Sequence, residues 1–482
     1  MKGPAAACAA IILLLFPTAV LAAPWEGEKE LTGAVTVPAG QALAILPGTN
    51  LSLGVPPAGA NGSRPLLEVC GTLDVSGTAA SPVVFRAQSA VFSRYRAPAA
   101  LRLDGASFSV RNASFIEMVV ELDRSGGIFE DCLFIDCDVV VKGSPAAFRN
   151  CTFEWASNLN ITGDAGGPGV LVSGCRFNGS QGWRICEWRW DTYVSAVEVN
   201  GPALLEGTNI TAYGHGVRLN SGRARLSGCN ISYCYIGMDL GPAGPAELSG
   251  TTVENCLYAG VRSRGSLDMR GCLVRGCEHG LVLDAPPATA QAPTLSGNRL
   301  FGNGRCGIAF TMPSLDPGDT LFEQEGVPNA VCRMARFSLL TVNVVDQQGA
   351  GLRHYSLNLT DRFGNWDNRS WTTSAAALVL PDYLIDNNGS RQDFFPYIIA
   401  AIHKGSSNQT VLQGPVDVVT LVVPSFPHPV ATPKPVLAPF PLSDTGLALG
   451  IGMLLVPAGA AALTARRRRT PEAPPGSREQ KY

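Results

Sequence analysis

Along residues 110–303, apolar and polar positions follow one short phrase repeated nine times: apolar, any, turn residue, small or Cys, any, apolar. Its first four copies are Val110-Arg-Asn-Ala-Ser-Phe115, Phe129-Glu-Asp-Cys-Leu-Phe134, Phe148-Arg-Asn-Cys-Thr-Phe153 and Val172-Ser-Gly-Cys-Arg-Phe177. Later copies start at Leu205, Leu226, Leu248, Met269 and Leu295, so successive starts lie 19 to 33 residues apart. Periods of that size mark a solenoid, whose turns bury their apolar faces only by stacking on their neighbours. The phrase is too short for a helix, and its third place mostly holds Gly, Asn or Asp, which tolerate a left-handed backbone. A second run follows several copies, as in Gly216-Val-Arg-Leu219, Gly237-Met-Asp-Leu240 and Gly280-Leu-Val-Leu283, with the alternation of a half-buried strand. Two or three short strands per coil of about twenty residues predict a right-handed parallel β-helix. Leucine-rich repeats are excluded, because neither their consensus nor a helix-length return is present. Phe115, Phe134, Phe153 and Phe177 share one place in the phrase and are expected to point inward, stacked coil on coil.

Upstream, Pro47-Gly48-Thr49 and Gly71-Thr-Leu-Asp-Val-Ser-Gly-Thr-Ala-Ala-Ser-Pro-Val-Val-Phe85 resemble the opening coils of secreted right-handed β-helix proteins, the pectate-lyase-like solenoids. The resemblance spans roughly residues 31–330. It implies fold more than activity, since that family includes lyases, glycoside hydrolases, surface proteins and metal-delivery accessory proteins. A second unit is expected over 333–423, where Ser338–Gly349, Tyr355–Gly364, Ala377–Leu380, Pro396–His403 and Val416–Val423 read as strands of a small antiparallel set. Its V-x-V-x-D-x-x-G opening, Val342 to Gly349, resembles the immunoglobulin-like, carboxypeptidase-regulatory type of β-sandwich. Residues 424–444 are proline-rich, a stiff extended stalk.

Both ends of the chain bear on its compartment. Residues 1–23 combine Lys2, an apolar run from Ile11 to Phe16 and small residues at Ala19, Ala22 and Ala23, as a secretory signal peptide does. Residues 445–465 carry no charge over a length that crosses a bilayer. Arg466 to Arg469 follow at once, which places the basic tail 466–482 in the cytoplasm and the bulk outside the cell. A lipid-anchor signal is the rival, but such tails do not normally end in a long charged segment.

Twelve of the 22 Asn lie in Asn-x-Ser/Thr sequons, well above chance. Asn50, Asn61, Asn160, Asn178, Asn209, Asn230, Asn358, Asn368, Asn388 and Asn408 are the glycosylation candidates. Asn112 and Asn150 occupy the turn place of the phrase, where Asn is wanted for its backbone. The formal charge of −2 becomes about −7 outside once Lys2 and the tail's six basic and two acidic residues are set aside. That balance gives no reason to expect nucleic acid or anionic lipid as partner.

Thirteen cysteines remain beyond Cys8. Cys132, Cys151 and Cys175 share one place in successive coils, with Cys229 and Cys272 there later; Cys137, Cys234 and Cys277 form a second column, with Cys256 offset by one. Coils about 4.8 Å apart bring such residues within disulfide reach. Cys132, Cys151, Cys175, Cys234, Cys256 and Cys277 are therefore candidate bridge partners within a ladder that otherwise packs as small buried thiols.

Catalytic signals are sparse. Gly214-His215-Gly216 matches a tripeptide of the polygalacturonase group of β-helix hydrolases, but that group's Asn-Thr-Asp, Asp-Asp and Arg-x-Lys companions do not accompany it. In register His215 falls beside Ile236, Ala259 and His279, immediately before the turn glycine Gly216, and reads as a turn residue. The carboxylates of Glu154, Asp239, Glu254 and Asp268 are scattered, without a paired motif on one face. No catalytic residue, metal or cofactor is assigned. The longest coil, between Val172 and Leu205, holds Trp183, Arg184, Trp188, Arg189 and Trp190. An insertion in a solenoid becomes a loop on one side. Exposed, those rings would anchor a carbohydrate or a protein; packed on the coils, they would only cover the flank.

The chain is thus expected to be all-β, a right-handed parallel β-helix followed by a small antiparallel β-sandwich and a single C-terminal transmembrane helix. Its expected role is that of a membrane-anchored extracellular glycoprotein, a structural or recognition module for a cell-surface glycan or protein. A polysaccharide lyase or glycoside hydrolase is the alternative, and paired exposed carboxylates in one groove would favour it. A periplasmic copper-binding-like accessory protein is the second alternative, opposed by five His and no His/Met cluster.

Overall fold

The computed structural model describes residues 20–21, 23–54, 66–87, 100–155, 157–164, 166–167, 169–179, 194–284, 291–322 and 328–424. All regular structure among them is β-strand. Each copy of the phrase is a strand, a corner and a second strand. In one coil, Ser107–Arg111, Ala113–Ile116 and Val119–Asp123 are three strands separated by one or two residues. Each pairs in parallel with its counterpart one coil on, Gly126–Glu130, Leu133–Ile135 and Asp138–Lys142. Repetition builds three parallel sheets, the first and second of twelve strands each. The solenoid is a parallel β-helix, with three strands per coil.

Backbone requirements explain the punctuation. The nine third-place residues, from Asn112 through Gly174 to Gly297, all have φ between 46° and 62°. They form the first corner, between the first and second sheets, where Gly, Asn and Asp enter the left-handed region at least cost. The residue after each is buried, and several bond a carbonyl of the preceding coil: Cys132 Sγ donates to Val110 O, Cys175 Sγ to Phe148 O and Thr208 Oγ1 to Val172 O. Cys and Thr exchange there because both are small and carry one weak or strong donor.

Packing fills the interior with aromatic ladders. Phe85, Phe115, Phe134, Phe153 and Phe177 stack at centroid distances of 4.2–4.9 Å with ring planes within 12°. All five are completely buried, as expected from their shared place. A second stack, Phe108, Phe129 and Phe148, meets the first edge to face.

Two expectations change. Gly216 is not a turn glycine: it lies within the strand His215–Ser221 of the third sheet. A Cβ there would sit 2.5 Å from Gly237 O and 2.6 Å from Ile231 Cγ2. Gly237, Gly260, Gly280 and Gly307 are crowded in the same way, so the column is set by space rather than by a positive φ. The six candidate bridge cysteines are all free thiols, and among the described residues the disulfide joins Cys306 to Cys332 instead. Each ladder sulfur already donates to a backbone carbonyl, and burial pushes the Cys137 thiol up to about 12, which keeps it protonated and inert.

The third sheet does not end with the solenoid. Cys332–Val345 pairs in parallel with Cys306–Phe310 and then, antiparallel, with Ala375–Ile385. Val418–Val422 joins its far side in parallel, so this sheet is mixed. A separate four-stranded antiparallel sheet holds Trp366–Trp371, Tyr355–Thr360, Tyr397–His403 and Ser406–Leu412. Val342, Val344, Leu357, Leu378 and Ile399 are buried here. Among the described residues no helix is long and apolar enough to cross a membrane, and residues 445–465 lie outside them.

Candidate functional site

The second corner, between the second and third sheets, is where the chain departs from what folding alone requires. Its left-handed place is held by Glu117, Asp136, Trp155, Ala212, Tyr233, Asn255, Gly276 and Gly302 in turn, all with φ between 51° and 66°. Trp and Tyr are costly there, since a bulky side chain in the left-handed region is strained by about 1–2 kcal/mol. Burial does not offset that strain, because Trp155 is 46% exposed and Tyr233 61% exposed. Two residues on, Tyr235 is 38% exposed and stacks on Tyr258 of the next coil at 5.8 Å, with Leu257 beside it 49% exposed. An aromatic ridge thus spans two adjacent coils of this corner, with Trp155 at the equivalent place three coils before Tyr233.

The expected tryptophan loop leaves and rejoins the stack at the same corner. Gly179 N donates to Thr211 O, and Val194 O accepts from His215 N, one coil after Trp155 and one before Ala212. Trp183, Arg184, Trp188, Arg189 and Trp190 themselves lie outside the described residues. The ridge was missed in sequence because its rings are spread over separate repeats. Aligning the copies on the second corner, rather than on the first, would have brought Trp155 and Tyr233 to one position.

Beside the ridge, the third sheet carries charge in alternation. Glu198, Arg218, Asp239 and Arg262 are direct register neighbours on successive strands. Arg264 Nη2 lies 3.3 Å from Asp239 Oδ1, and Arg262 Nη2 is 3.3 Å from Asp284 Oδ2. At the corner, Arg275 meets Glu254 at 2.7 Å and Arg305 meets Glu278 at 2.8 Å. The first sheet repeats the pattern, with Arg225 2.8 Å from Glu247. Parallel in-register strands place equivalent residues one coil apart, so a carboxylate finds its arginine on the neighbouring coil. Of the carboxylates singled out in sequence, Asp239, Glu254 and Asp268 each carry an arginine partner. They do not form an exposed pair of acids.

His215 begins a strand, and the register with Ile236, Ala259 and His279 is as expected. Its Nε2 lies 3.7 Å from Asp239 Oδ2, but the two side chains are only 8% and 6% exposed. Burial holds the imidazole below its ordinary range, against the pull of Asp239. His279 is more extreme, buried edge-on against Tyr258 and pushed down to about 4 by burial, with Arg305 adding to the effect. Unfolded chains bind a proton at this residue near pH 6.5, whereas the folded chain refuses it until about 4. Stability should therefore be lost as pH falls through that window, by up to about 3 kcal/mol for this residue. Melting temperature measured from pH 7 to pH 4 should fall less steeply in His279→Leu, with a residual slope from His215; an unchanged slope would refute the assignment.

The sequons distribute unevenly. Asn50, Asn178, Asn209 and Asn230 lie on second-sheet strands, with Asn209 and Asn230 in direct register. Asn160 lies on the third sheet, its Oδ1 buried and without a partner. Asn358 pairs with Asn368 across the four-stranded sheet, while Asn388 and Asn408 are exposed and Asn61 is outside the described residues. A shallow depression of about 320 Å³ on the first sheet is lined by Leu171, Pro202, Leu204, Arg223 and Arg225. It brings together no acid, base or nucleophile, and both arginines already contact Glu247. Among the described residues, no three His, Cys, Asp or Glu side chains gather where they could hold a metal ion.

A family model for the right-handed beta helix region matches residues 186–314. No curated protein sequence matches the chain. Among solved structures, a periplasmic alginate epimerase is similar at 11% identity and a TM-score of 0.37, over 66% of this chain and 72% of that one. A pectate lyase is similar at 9% identity and 0.32, over 58% and 72%. The tailspike protein of an E. coli bacteriophage, in complex with a pentasaccharide, is similar at 10% and 0.30, over 72% and 82%. Identities near one in ten leave function to be read from this chain's own residues. The stacked coils form a right-handed parallel β-helix solenoid.

Proposed function

We propose that this chain is a recognition module of the cell exterior, a rigid solenoid that presents the second-corner aromatic ridge to a surface glycan or protein. One observation carries it: Trp155 and Tyr233 occupy strained left-handed positions while remaining 46% and 61% exposed, so neither backbone preference nor burial accounts for them. Exposed aromatic anchors on a rigid scaffold are what binding sites use. A lyase or hydrolase would need accessible acids or a poised base. Here His215 and Asp239 are buried, and the carboxylates beside the ridge are held by arginines. The same proposal includes the signal peptide 1–23, the span 445–465 and N-glycans at the exposed sequons, which would hold the solenoid outside the membrane. It also includes the immunoglobulin-like reading of 333–423 as a spacer between solenoid and stalk.

Binding of the full-length chain to panels of surface glycans and cell-surface proteins tests it. Tyr233→Asn should abolish binding and leave stability unchanged or raised by about 1 kcal/mol, because Asn255 shows that Asn suits this place. Retained binding in Tyr233→Asn combined with Tyr235→Ala would overturn the proposal.

A further inference from the structure

We infer that the ridge at the second corner takes an uncharged, linear polysaccharide lying along the solenoid axis. This rests on the recognition reading and narrows it to one ligand chemistry. Three features of the corner point the same way.

The first is its repeat. Tyr235 and Tyr258 sit on adjacent coils with ring planes 17° apart and centroids 5.8 Å apart. Coils recur about every 4.8 Å, so Tyr233 and Tyr235 on one rung and Leu257 and Tyr258 on the next place apolar groups on two successive rungs. Trp155 holds the same corner place three rungs before Tyr233, also exposed. A repeating strip is matched by a repeating ligand. A folded protein would instead be expected to press a central cluster of anchors into a closed, water-excluding patch.

The second feature is charge. The four ion pairs flanking the strip, at Asp239, Glu254, Glu278 and Asp284, each match a carboxylate with an arginine. The third-sheet row alternates sign over four successive rungs, from Glu198 to Arg262. Alternating charges one coil apart cancel within a Debye length, so the surface offers an acidic polymer no net field. The same cancelled charges still offer hydrogen-bond donors and acceptors to hydroxyl groups.

The third is modification. Sequons lie on the second sheet at Asn178, Asn209 and Asn230, while the left-handed place and the ring-bearing residues of the second corner carry none. Glycans there would crowd one flank and leave the ridge open.

The test uses the full-length chain with three neutral hexasaccharides (cellohexaose, mannohexaose and chitohexaose), hexagalacturonate and a heparin hexasaccharide. Calorimetry is run at about 50 and about 500 mM NaCl. A neutral hexamer should bind with an affinity that changes less than about twofold between the two salts. Tyr233→Asn with Tyr235→Ala should weaken that binding at least about tenfold at unchanged melting temperature. Preference for an acidic probe, with affinity collapsing in salt, would overturn the ligand class. If the tyrosine variants also abolished that acidic binding, the ridge would stand as a recognition site. No binding of any neutral probe overturns the inference. The recognition reading falls with it only if the variants also leave binding to the cell-surface protein panel untouched.

Discussion

Phe153→Ala is expected to destabilise the protein by about 3–5 kcal/mol, among the largest effects of any single side chain. The ring is completely buried between Phe134 at 4.6 Å and Phe177 at 4.2 Å, and also meets Phe148 at 6.1 Å. Truncation removes most of its apolar area and leaves a cavity whose walls are held by interstrand hydrogen bonds on three sheets. Those walls cannot collapse onto the gap without breaking register, so the cavity component stays near its maximum. Because each coil contacts mainly its neighbours, the damage should be local, with early hydrogen exchange in the strands on either side. Denaturant unfolding gives the magnitude, and a loss below about 1.5 kcal/mol would mean the ladder is not the packed core described.

Gly237→Ala should cost at least about 3 kcal/mol for the opposite reason, too little room rather than too much. A Cβ at this position would meet Gly260 O at 2.5 Å, Val253 Cγ1 at 2.5 Å and Cys256 Sγ at 3.2 Å. One of these is backbone of the next coil, so removing the other two with Val253→Ala and Cys256→Ala should not restore stability. Gly250→Ala supplies the contrast. Its φ is +53° and nothing lies within 4 Å of the added carbon, so only conformational strain of about 1–2 kcal/mol is expected. Equal losses in the two variants, read by thermal or denaturant unfolding, would show that interstrand crowding is not what selects the glycine column.

The solenoid was legible because its physics is local and repeated. The first corner holds Gly, Asn or Asp at its left-handed place, an inward strand place needs an apolar residue, and stacking forces both to recur at the coil period. Thus Asn112 through Gly297 and Phe115 through Phe177 could be placed from spacing alone. The glycines of the third sheet were harder. Sequence cannot separate a glycine needed for its φ from one needed for missing volume, and Gly216 belongs to the second kind. The thiols were misjudged for a similar reason. Register brings cysteines together, but their bonds to backbone carbonyls satisfy them without a bridge, and the disulfide lies where the last coil meets Cys332. The ridge was invisible in the first-corner alignment, and the tryptophan loop drew attention because its rings are contiguous in sequence.

What the sequence by itself determined was the class of fold, its coil length, the identity of the first-corner residues and the inward aromatic column. Each of these depends only on a residue and its counterpart one period away. What only the tertiary structure decided was which rings share an edge, which carboxylates meet arginines, and how the third sheet passes from parallel solenoid into antiparallel strands. Those depend on the register between coils of unequal length, from 19 to 33 residues, and on exposure. An exposed Tyr233 and a buried Phe153 are both simply aromatic residues until the stack shows which side of the wall each occupies.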